Sequence, residues 1–328
     1  MKPIIKRDNK VSSIYVLKAL CAFLVVIIHT KCVYKDYFLP ICRIAVPIFF
    51  MISGYFLLNK DRNCIEYKKI VKAITKIIKI AFIANIIYGI AFYIFDLRSI
   101  DYLSFKFWII EIFTGSAIIG HLWYLTAYIE VLLTIYFLQK INKLKILYYL
   151  IPCFIILNML LGSYRYLIGI DHPYQFLHTN FLTIGLPCFA IGMIIKIYGK
   201  QITAIVKWWH VILCFILAYS EGIIKHKMGL HPPGIGDIYL FTIPLAALTF
   251  IAFLKKKNLY CGQLIENIGE KHSLYIYLYH GLVLTLIVKY TDYSFQLPVI
   301  DALFIYLVTL LFSFFLHVIP FWEKKIKY

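Results

Sequence analysis

The sequence predicts an all-α membrane protein, a polytopic bundle of about ten transmembrane helices with both termini in the cytoplasm. Of its 328 residues, 62% are hydrophobic and only 15% are charged, and the mean hydropathy is +0.81. Soluble domains carry about 25% charged and about 45–50% apolar residues. The apolar surplus is more than one water-soluble core can bury, so part of the chain must face lipid.

Long apolar runs define the individual elements. A helix needs about 20 residues to cross the hydrocarbon layer. The predicted spans are 13–32, 41–58, 76–95, 122–139, 146–162, 179–197, 208–224, 238–254, 273–290 and 299–320. Residues 103–120 are also apolar, but Lys106, Glu111 and three Gly or Ser residues favour a short interfacial or re-entrant segment. Because no long linker or internal repeat is visible, we treat residues 1–328 as one membrane domain.

The basic residues support this count of spans. With the N-terminus inside, 24 of the 34 Lys and Arg residues are assigned to cytoplasmic segments and nearby span ends, nine to outer ones, and Lys18 alone to the interior of a span. This positive-inside pattern also explains the net charge of +18. Nucleic-acid binding would need a water-exposed basic patch with aromatic residues placed for stacking, and it is not expected. The eight cysteines are scattered without metal-ligand spacing, so no metal is expected either.

The first span carries two ionisable residues, which are costly in a membrane and therefore candidates for function. Lys18 and His29 are eleven residues apart, which places them within about 20° of the same helix face and about 16 Å apart along the axis. This face presents a cation toward the cytosol and an imidazole toward the outside. The pattern suits a tunnel that admits a phosphate-bearing donor from one side. A structural alternative stays open, in which Lys18 reaches the headgroups and His29 caps the span.

The second span holds another set of candidates, from Arg43 to Tyr55. Pro47 removes one backbone hydrogen bond, and the Ser53-Gly54 pair lets a neighbouring helix approach closely. A kinked helix with a small-residue notch can open a cavity beside the first span, with Arg43 at its outer mouth. Interfacial anchoring and ordinary packing fit the same pattern.

Polar and aromatic residues also mark the fourth and ninth spans. His121, Trp123 and Tyr124 open the fourth span, where Trp and Tyr are typical of the interfacial belt but can also hold a sugar ring. Glu130 lies two turns deeper and needs a basic partner or protonation inside a membrane. His280 lies in the middle of the ninth span, where a buried histidine is more often structural than catalytic.

Taken in order, these motifs resemble acyltransferase family 3, a family of integral membrane O-acyltransferases, and they are most similar to its short members without extra domains. The resemblance covers nearly the whole chain. Its matching stretches are the Lys18 and His29 pair, residues 46–55, the His121-Leu-Trp123-Tyr124-Leu125 motif and the Tyr279-His280 pair. Lys18 replaces the family's Arg, which keeps the charge but loses the bidentate guanidinium. Tyr128 stands where many longer members have Glu.

The resemblance implies transfer of an acetyl-type group from cytosolic acyl-CoA to a hydroxyl of a cell-envelope glycan or lipid-linked sugar. It also implies that the protein lies among the lipids of the bacterial plasma membrane. Acetyl-CoA is the implied donor. His29 is the implied general base, since a positioned imidazole suits removal of a hydroxyl proton. The implied donor-binding residues are Lys18, Ser53 and Tyr55. The implied acceptor-binding residues are Arg43, His121, Trp123, Tyr124, Glu130 and His280. Two alternatives remain: a transporter of a small polar solute such as L-serine, and a non-catalytic assembly protein.

Overall fold

The computed structural model describes residues 11–30, 35–61, 63–97, 103–170, 175–230, 238–291 and 297–318. Within these ranges the chain is built from α-helices joined by short turns, and no β-strand occurs. The helices are α1 (Ser12–His29), α2 (Lys35–Cys42), α3 (Ala45–Leu57), α4 (Tyr67–Ile94), α5 (Phe105–Thr114), α6 (Trp123–Lys140), α7 (Ile146–Leu161), α8 (Gln175–His178), α9 (Leu186–Ile197), α10 (Gly199–Ile205), α11 (Trp208–Lys227), α12 (Thr242–Lys255), α13 (Gln263–Asn267), α14 (Ser273–Tyr290) and α15 (Pro298–Val318).

The predicted fold class is confirmed. In the described part of the chain, eight helical stretches are long and apolar enough to cross a membrane: Ser12–His29, Lys35–Leu57, Tyr67–Ile94, Gly120–Lys140, Phe176–Ile197, Trp208–Lys227, Gln263–Tyr290 and Val299–Leu316. Two shorter apolar helices, α7 and α12, coincide with the other two predicted spans. Helix α5 has ten residues, about 15 Å, which agrees with a short segment that does not cross the bilayer.

The second span differs from its predicted form. It begins at Lys35 rather than near residue 41, and it consists of α2 and α3 on either side of Arg43 and Ile44. Pro47 lies in the first turn of α3, where its missing N–H breaks no hydrogen bond. The helix is therefore interrupted before the proline and not at it. Arg43 lies inside the helical span at this break, and its expected place at the outer mouth stays a prediction.

Close packing between α3 and α9 fixes the face of α3 that carries the predicted donor residues. A methyl group added at Gly54 would collide with the Phe189 carbonyl, and one added at Gly192 would collide with the Met51 carbonyl. Small residues thus allow the two backbones to touch, which is a common way for membrane helices to associate. The prediction that the notch at Gly54 admits a neighbouring helix is confirmed.

Helix α1 lies in the middle of the bundle and contacts α3, α14 and α15. A π-helical segment, Ile268–His272, precedes α14, and its Gly269 packs directly against the Tyr15 carbonyl of α1. Such π turns recur near functional sites because they re-aim the helix that follows. Here the turn holds α14 against α1 and brings the middle of α14 opposite the C-terminal end of α1.

Candidate active site

His29 is the last residue of α1, at the end of the bundle predicted to face outside. The helix stops there because Thr30 adopts an extended conformation, with φ −74° and ψ 132°, while its hydroxyl donates to the Val26 carbonyl at 2.9 Å. The His29 side chain is exposed even though α1 is central. Its ring nitrogens form no hydrogen bond within the residues that the structure describes. The His29 ring is therefore accessible at this end of α1.

Two further imidazoles pack behind His29. The ring centre of His29 lies 4.9 Å from that of His280 and 5.7 Å from that of His121, and the latter two are 4.6 Å apart. His121 is 5% exposed and His280 is 0% exposed. We call these three residues the histidine cluster. They come from α1, from the 3₁₀ turn before α6 and from α14, so the fold brings together three site residues predicted from separate motifs.

Hydrogen bonds and close packing fix the His121 ring. Its Nε2 lies 3.0 Å from the Leu278 carbonyl oxygen, which can only accept, so Nε2 carries the hydrogen. The Tyr88 hydroxyl donates to the same carbonyl at 2.8 Å, and the Tyr277 hydroxyl donates to the His121 carbonyl. The other edge of the ring lies over Gly281, where an added methyl group would be 2.9 Å from Nδ1. The His121 ring is a rigid wall of the site.

Glu111 holds the segment that leads into His121, a role that the sequence did not reveal. Its Oε2 accepts hydrogen bonds from the backbone N–H groups of Ala117 at 2.9 Å and Ile118 at 3.2 Å, and Oε1 accepts one from the Asn85 amide at 2.8 Å. Burial raises the pKa of the Glu111 carboxyl, and these hydrogen bonds partly offset the rise. Its one signal in the sequence is a carboxylate in an apolar segment just before small residues.

The other charged groups that act on His29 are cations. They are Arg43 and Lys35, beside the two histidines of the cluster, and within the described ranges no carboxylate is among them. Positive charge next to an imidazole suits a reaction in which negative charge develops on an oxygen atom. Arg43, predicted as an acceptor-binding residue, is therefore close enough to His29 to act on it electrostatically.

Ser53 and Tyr124, predicted for donor and acceptor respectively, lie together in the bundle. Ser53 lies near the hydroxyls of Tyr124 and Tyr128, and the Ser53 hydroxyl donates to the Phe49 carbonyl at 3.0 Å. Tyr124 packs edge-on against Tyr277, with ring centres 5.4 Å apart. Through Tyr277 this polar group continues to the histidine cluster.

Tyr55 lies nearer the cytosolic end of α3, beside a lysine that the sequence analysis did not select. The Lys196 Nζ is 4.5 Å from the centre of the Tyr55 ring. Lys60 and Lys257 act electrostatically on Lys196, so three cations converge there. In the sequence, Lys196 stood out only as a basic residue near the end of a span.

Lys18 lies about three turns from His29 on α1, and the structure does not bring the two side chains together. Its charged neighbours are Lys76 and Glu270, and its Nζ lies 6.0 Å from the centre of the Tyr15 ring. Lys18 is thus part of a mixed-charge group at the cytosolic end of α1.

Trp123 and Glu130 face a separate cavity of about 270 Å³, whose walls include Phe113, Phe176 and Phe181. These two residues are seven apart on α6, so they share a helix face. In the described part of the chain the Glu130 carboxylate forms no hydrogen bond or ion pair. Two of the predicted acceptor residues are therefore displaced from the histidine cluster to a neighbouring cavity.

The cluster offers acid–base groups and flanking cations. Among the described residues no three His, Cys, Asp or Glu side chains are grouped so that they can hold a metal ion. What the arrangement provides is an accessible imidazole, two imidazoles held behind it, and Arg43 and Lys35 nearby. These are the groups that proton transfer and stabilisation of an oxyanion require.

Comparison with known families assigns this arrangement to a class of enzymes. Residues 11–318 match the family model for an acyltransferase domain, that of acyltransferase family 3. A search of curated proteins and a search of solved structures returned no significant match. The family match spans every residue of the candidate site, from Lys18 to His280. The chain belongs to acyltransferase family 3 and is a multi-pass membrane acyltransferase.

Proposed function

We propose that this protein transfers an acetyl-type group from cytosolic acyl-CoA, with acetyl-CoA as the donor, to a hydroxyl of a cell-envelope glycan or lipid-linked sugar at the bacterial plasma membrane. The observation that carries the proposal is the histidine cluster, in which an exposed imidazole ends α1 and two buried imidazoles back it. Family membership supports acyl transfer, and the cluster supports a hydroxyl as the group that is acylated.

His29 acts as the general base. Its ring takes the proton of the acceptor hydroxyl while the oxygen attacks the thioester carbonyl carbon. Arg43 and Lys35, the cations that act on His29, stabilise the negative charge that develops on the carbonyl oxygen. When the C–S bond breaks, the CoA sulfur receives the proton from His29. The products are an ester and a free thiol, and His29 returns to its neutral form.

Donor binding is assigned to the cytosolic side. Lys18 and Lys196 supply positive charge for the phosphate groups of the donor, each as a point charge. Tyr55, against which Lys196 packs, flanks the path into the bundle. Ser53 lies deeper, near the Tyr124 hydroxyl. The order of these residues supports a donor that reaches His29 from the cytosol.

Acceptor binding is assigned to the side of α6. Trp123 offers a ring face to a sugar, and the Glu130 carboxylate, with no hydrogen bond from the described residues, can accept hydrogen bonds from hydroxyl groups. Their cavity of about 270 Å³ is near the lower end of the range for ligand pockets, about 300–1,000 Å³. His121 and His280 are covered by protein, so they shape the site around His29. Aromatic residues beside a carboxylate support a sugar as the acceptor.

The experiment uses the full-length protein in lipid nanodiscs, with radiolabelled acetyl-CoA and the envelope glycan fraction as acceptor. Free thiol and label in the glycan are both measured. We expect His29→Ala to lower the transfer rate about 10²–10⁴-fold. The control is His272→Ala, which removes a histidine elsewhere in the bundle: His272 is 2% exposed and its Nδ1 lies 2.6 Å from the Ser313 hydroxyl, away from the site.

Two results would overturn the proposal. Transfer by His29→Ala at the rate of the parent protein would remove His29 as the base. Uptake of radiolabelled L-serine into proteoliposomes, with no consumption of acetyl-CoA, would instead support a transporter.

A further inference from the structure

Within the histidine cluster, one ring nitrogen of His280 lacks a hydrogen-bond partner among the described residues. The Nε2 atom of His280 is buried and has no hydrogen-bond partner among the described residues, and the whole side chain is 0% exposed. Buried polar atoms are nearly always paired in folded proteins. The unpaired Nε2 of His280 lies beside the exposed imidazole of His29. This indicates that Nε2 gains its hydrogen bond during the catalytic cycle.

The other nitrogen of His280 fixes its tautomer. Nδ1 lies 2.8 Å from the Tyr277 carbonyl oxygen and 3.1 Å from the Ile276 carbonyl oxygen. Carbonyl oxygens only accept hydrogen bonds, so Nδ1 carries the hydrogen. In the neutral ring, Nε2 is then a hydrogen-bond acceptor.

His121 is less well placed for the same role. Its Nε2–H is directed to the Leu278 carbonyl at 3.0 Å, so its Nδ1 is a hydrogen-bond acceptor, but that edge of the ring lies over Gly281. The ring centre of His121 is 5.7 Å from that of His29, against 4.9 Å for His280. The cations Arg43 and Lys35, which also act on His29, have only donors to offer. His280 Nε2 therefore belongs to the nearer of the two rings that carry an acceptor.

We propose that His280 is a positioning residue for the base: its Nε2 accepts an N–H of His29 once His29 has taken the proton of the acceptor hydroxyl. Both nitrogens of His29 then carry hydrogen, one destined for the CoA sulfur and one held by His280. The ring centres are 4.9 Å apart and the ring planes are inclined by 45°. Nitrogen atoms in such a bond are about 3 Å apart, so the proposal requires the exposed His29 ring to rotate toward His280. This inference rests on the proposed function, since it requires His29 to be the base.

The experiment compares two polar replacements in the full-length protein. His280→Gln places an amide oxygen near the former position of Nε2 and keeps an acceptor there. His280→Asn is shorter and occupies only the former position of Nδ1. We expect His280→Asn to lower kcat about 10- to 100-fold, the range for a lost hydrogen bond to a charged group. KM for acetyl-CoA and KM for the glycan fraction stay unchanged, and His280→Gln regains most of kcat.

The outcomes separate this inference from the proposed function. Equal kcat for His280→Asn and the parent protein would overturn the inference, and so would equal losses in both variants together with a raised KM and a lower unfolding temperature. His272→Asn is the control for removal of a buried histidine and is expected to leave kcat unchanged. If His29→Ala remains active, the proposed function fails first, whatever the His280 variants show.

Discussion

The histidine cluster can be compared with a second buried polar group, the Glu221 cluster, which consists of Glu221, Lys225 and Tyr164. Glu221 and Lys225 lie one turn apart on α11 and are 8% and 4% exposed. The Glu221 carboxylate accepts hydrogen bonds from the backbone N–H groups of Leu240 at 2.8 Å and Phe241 at 3.1 Å, and from the Tyr164 hydroxyl. This carboxylate therefore has three donors.

Lys225 is equally well compensated. Its ammonium group donates to the Ser163 carbonyl and lies 4.1 Å from the centre of the Tyr164 ring and 5.2 Å from that of Tyr239, distances at which a cation is attracted to an aromatic face. Burial, together with the hydrogen bond to Glu221, raises the pKa of Tyr164 above its ordinary value. Tyr164 thus remains a hydrogen-bond donor. The Glu221 cluster links α11 to residues 163–164 and 240–241. Its polar groups are occupied by these contacts, so it serves the structure.

The histidine cluster shows the opposite arrangement. His29 is exposed without a hydrogen bond from the described residues, and His280 Nε2 is buried without one. Ionisable groups inside a membrane protein are costly wherever they occur, so burial alone does not separate structure from function. Whether the polar atoms have hydrogen-bond partners does distinguish the two clusters: those of the Glu221 cluster are paired within the fold, whereas the histidine cluster retains an unpaired nitrogen.

The largest effect is expected for a substitution that breaks the Glu221 cluster. Glu221→Ala removes the negative charge that acts on buried Lys225 and leaves two backbone N–H groups and the Tyr164 hydroxyl without their acceptor. Each buried donor left without an acceptor costs about 1–3 kcal/mol, so we expect the free energy of unfolding to fall by about 3–5 kcal/mol, with kcat per folded molecule unchanged. Thermal unfolding in detergent and the acetyl-transfer assay measure the two quantities. Glu66→Ala is the control, because Glu66 forms an exposed ion pair with Lys69 at 3.0 Å, which contributes little. A variant that stays stable but loses transfer would contradict the structural role.

The next effect concerns the rigidity of the histidine cluster. The added methyl group of Gly281→Ala would lie 2.6 Å from Cε1 and 2.9 Å from Nδ1 of His121, so the ring must move. A displacement of about 1 Å in a catalytic group lowers rates about 100-fold, and we expect a loss of kcat of that order. Gly199→Ala is the control, because no atom lies within 4 Å of an added methyl group there. Full activity of Gly281→Ala would show that the position of His121 is unimportant.

The sequence predicted the members of the histidine cluster but not their grouping. His29, His121 and His280 each stood out as polar residues within or beside apolar runs, because a membrane span makes such residues conspicuous. Their meeting depends on contacts between α1, α6 and α14, which are distant in sequence. The unpaired Nε2 of His280 is a property of that packing, so no local pattern predicts it.

Other parts of the site show where local patterns mislead. Arg43 was expected at the outer mouth because the apolar run begins near residue 41, whereas the helical span begins at Lys35. Glu111 stood out only as a carboxylate in an apolar segment and Lys196 only as a basic residue near the end of a span, since their roles depend on a loop and on a neighbouring helix. Trp123 and Tyr124 were grouped because they are adjacent, although adjacent residues on a helix differ by about 100° in direction.

The smallest effect is expected for a substitution at Glu130, whose carboxylate can be compared with that of Glu221. Glu130 resembles Glu221 in lying within an apolar helix, but in the described part of the chain it lacks any hydrogen-bond donor, and it faces the cavity beside Trp123. By the reasoning that separates the two clusters, Glu130 should serve a ligand.

Glu130→Gln keeps the shape but weakens the hydrogen bonds that the side chain accepts from hydroxyl groups. We expect KM for the glycan fraction to rise about fivefold, while kcat, KM for acetyl-CoA and the unfolding temperature stay unchanged. Glu66→Gln, on the opposite end of the bundle, should change none of these values. An unchanged KM together with a lower unfolding temperature would place Glu130 with Glu221, as part of the fold, and would move the acceptor to the other side of α6, where Tyr124 lies.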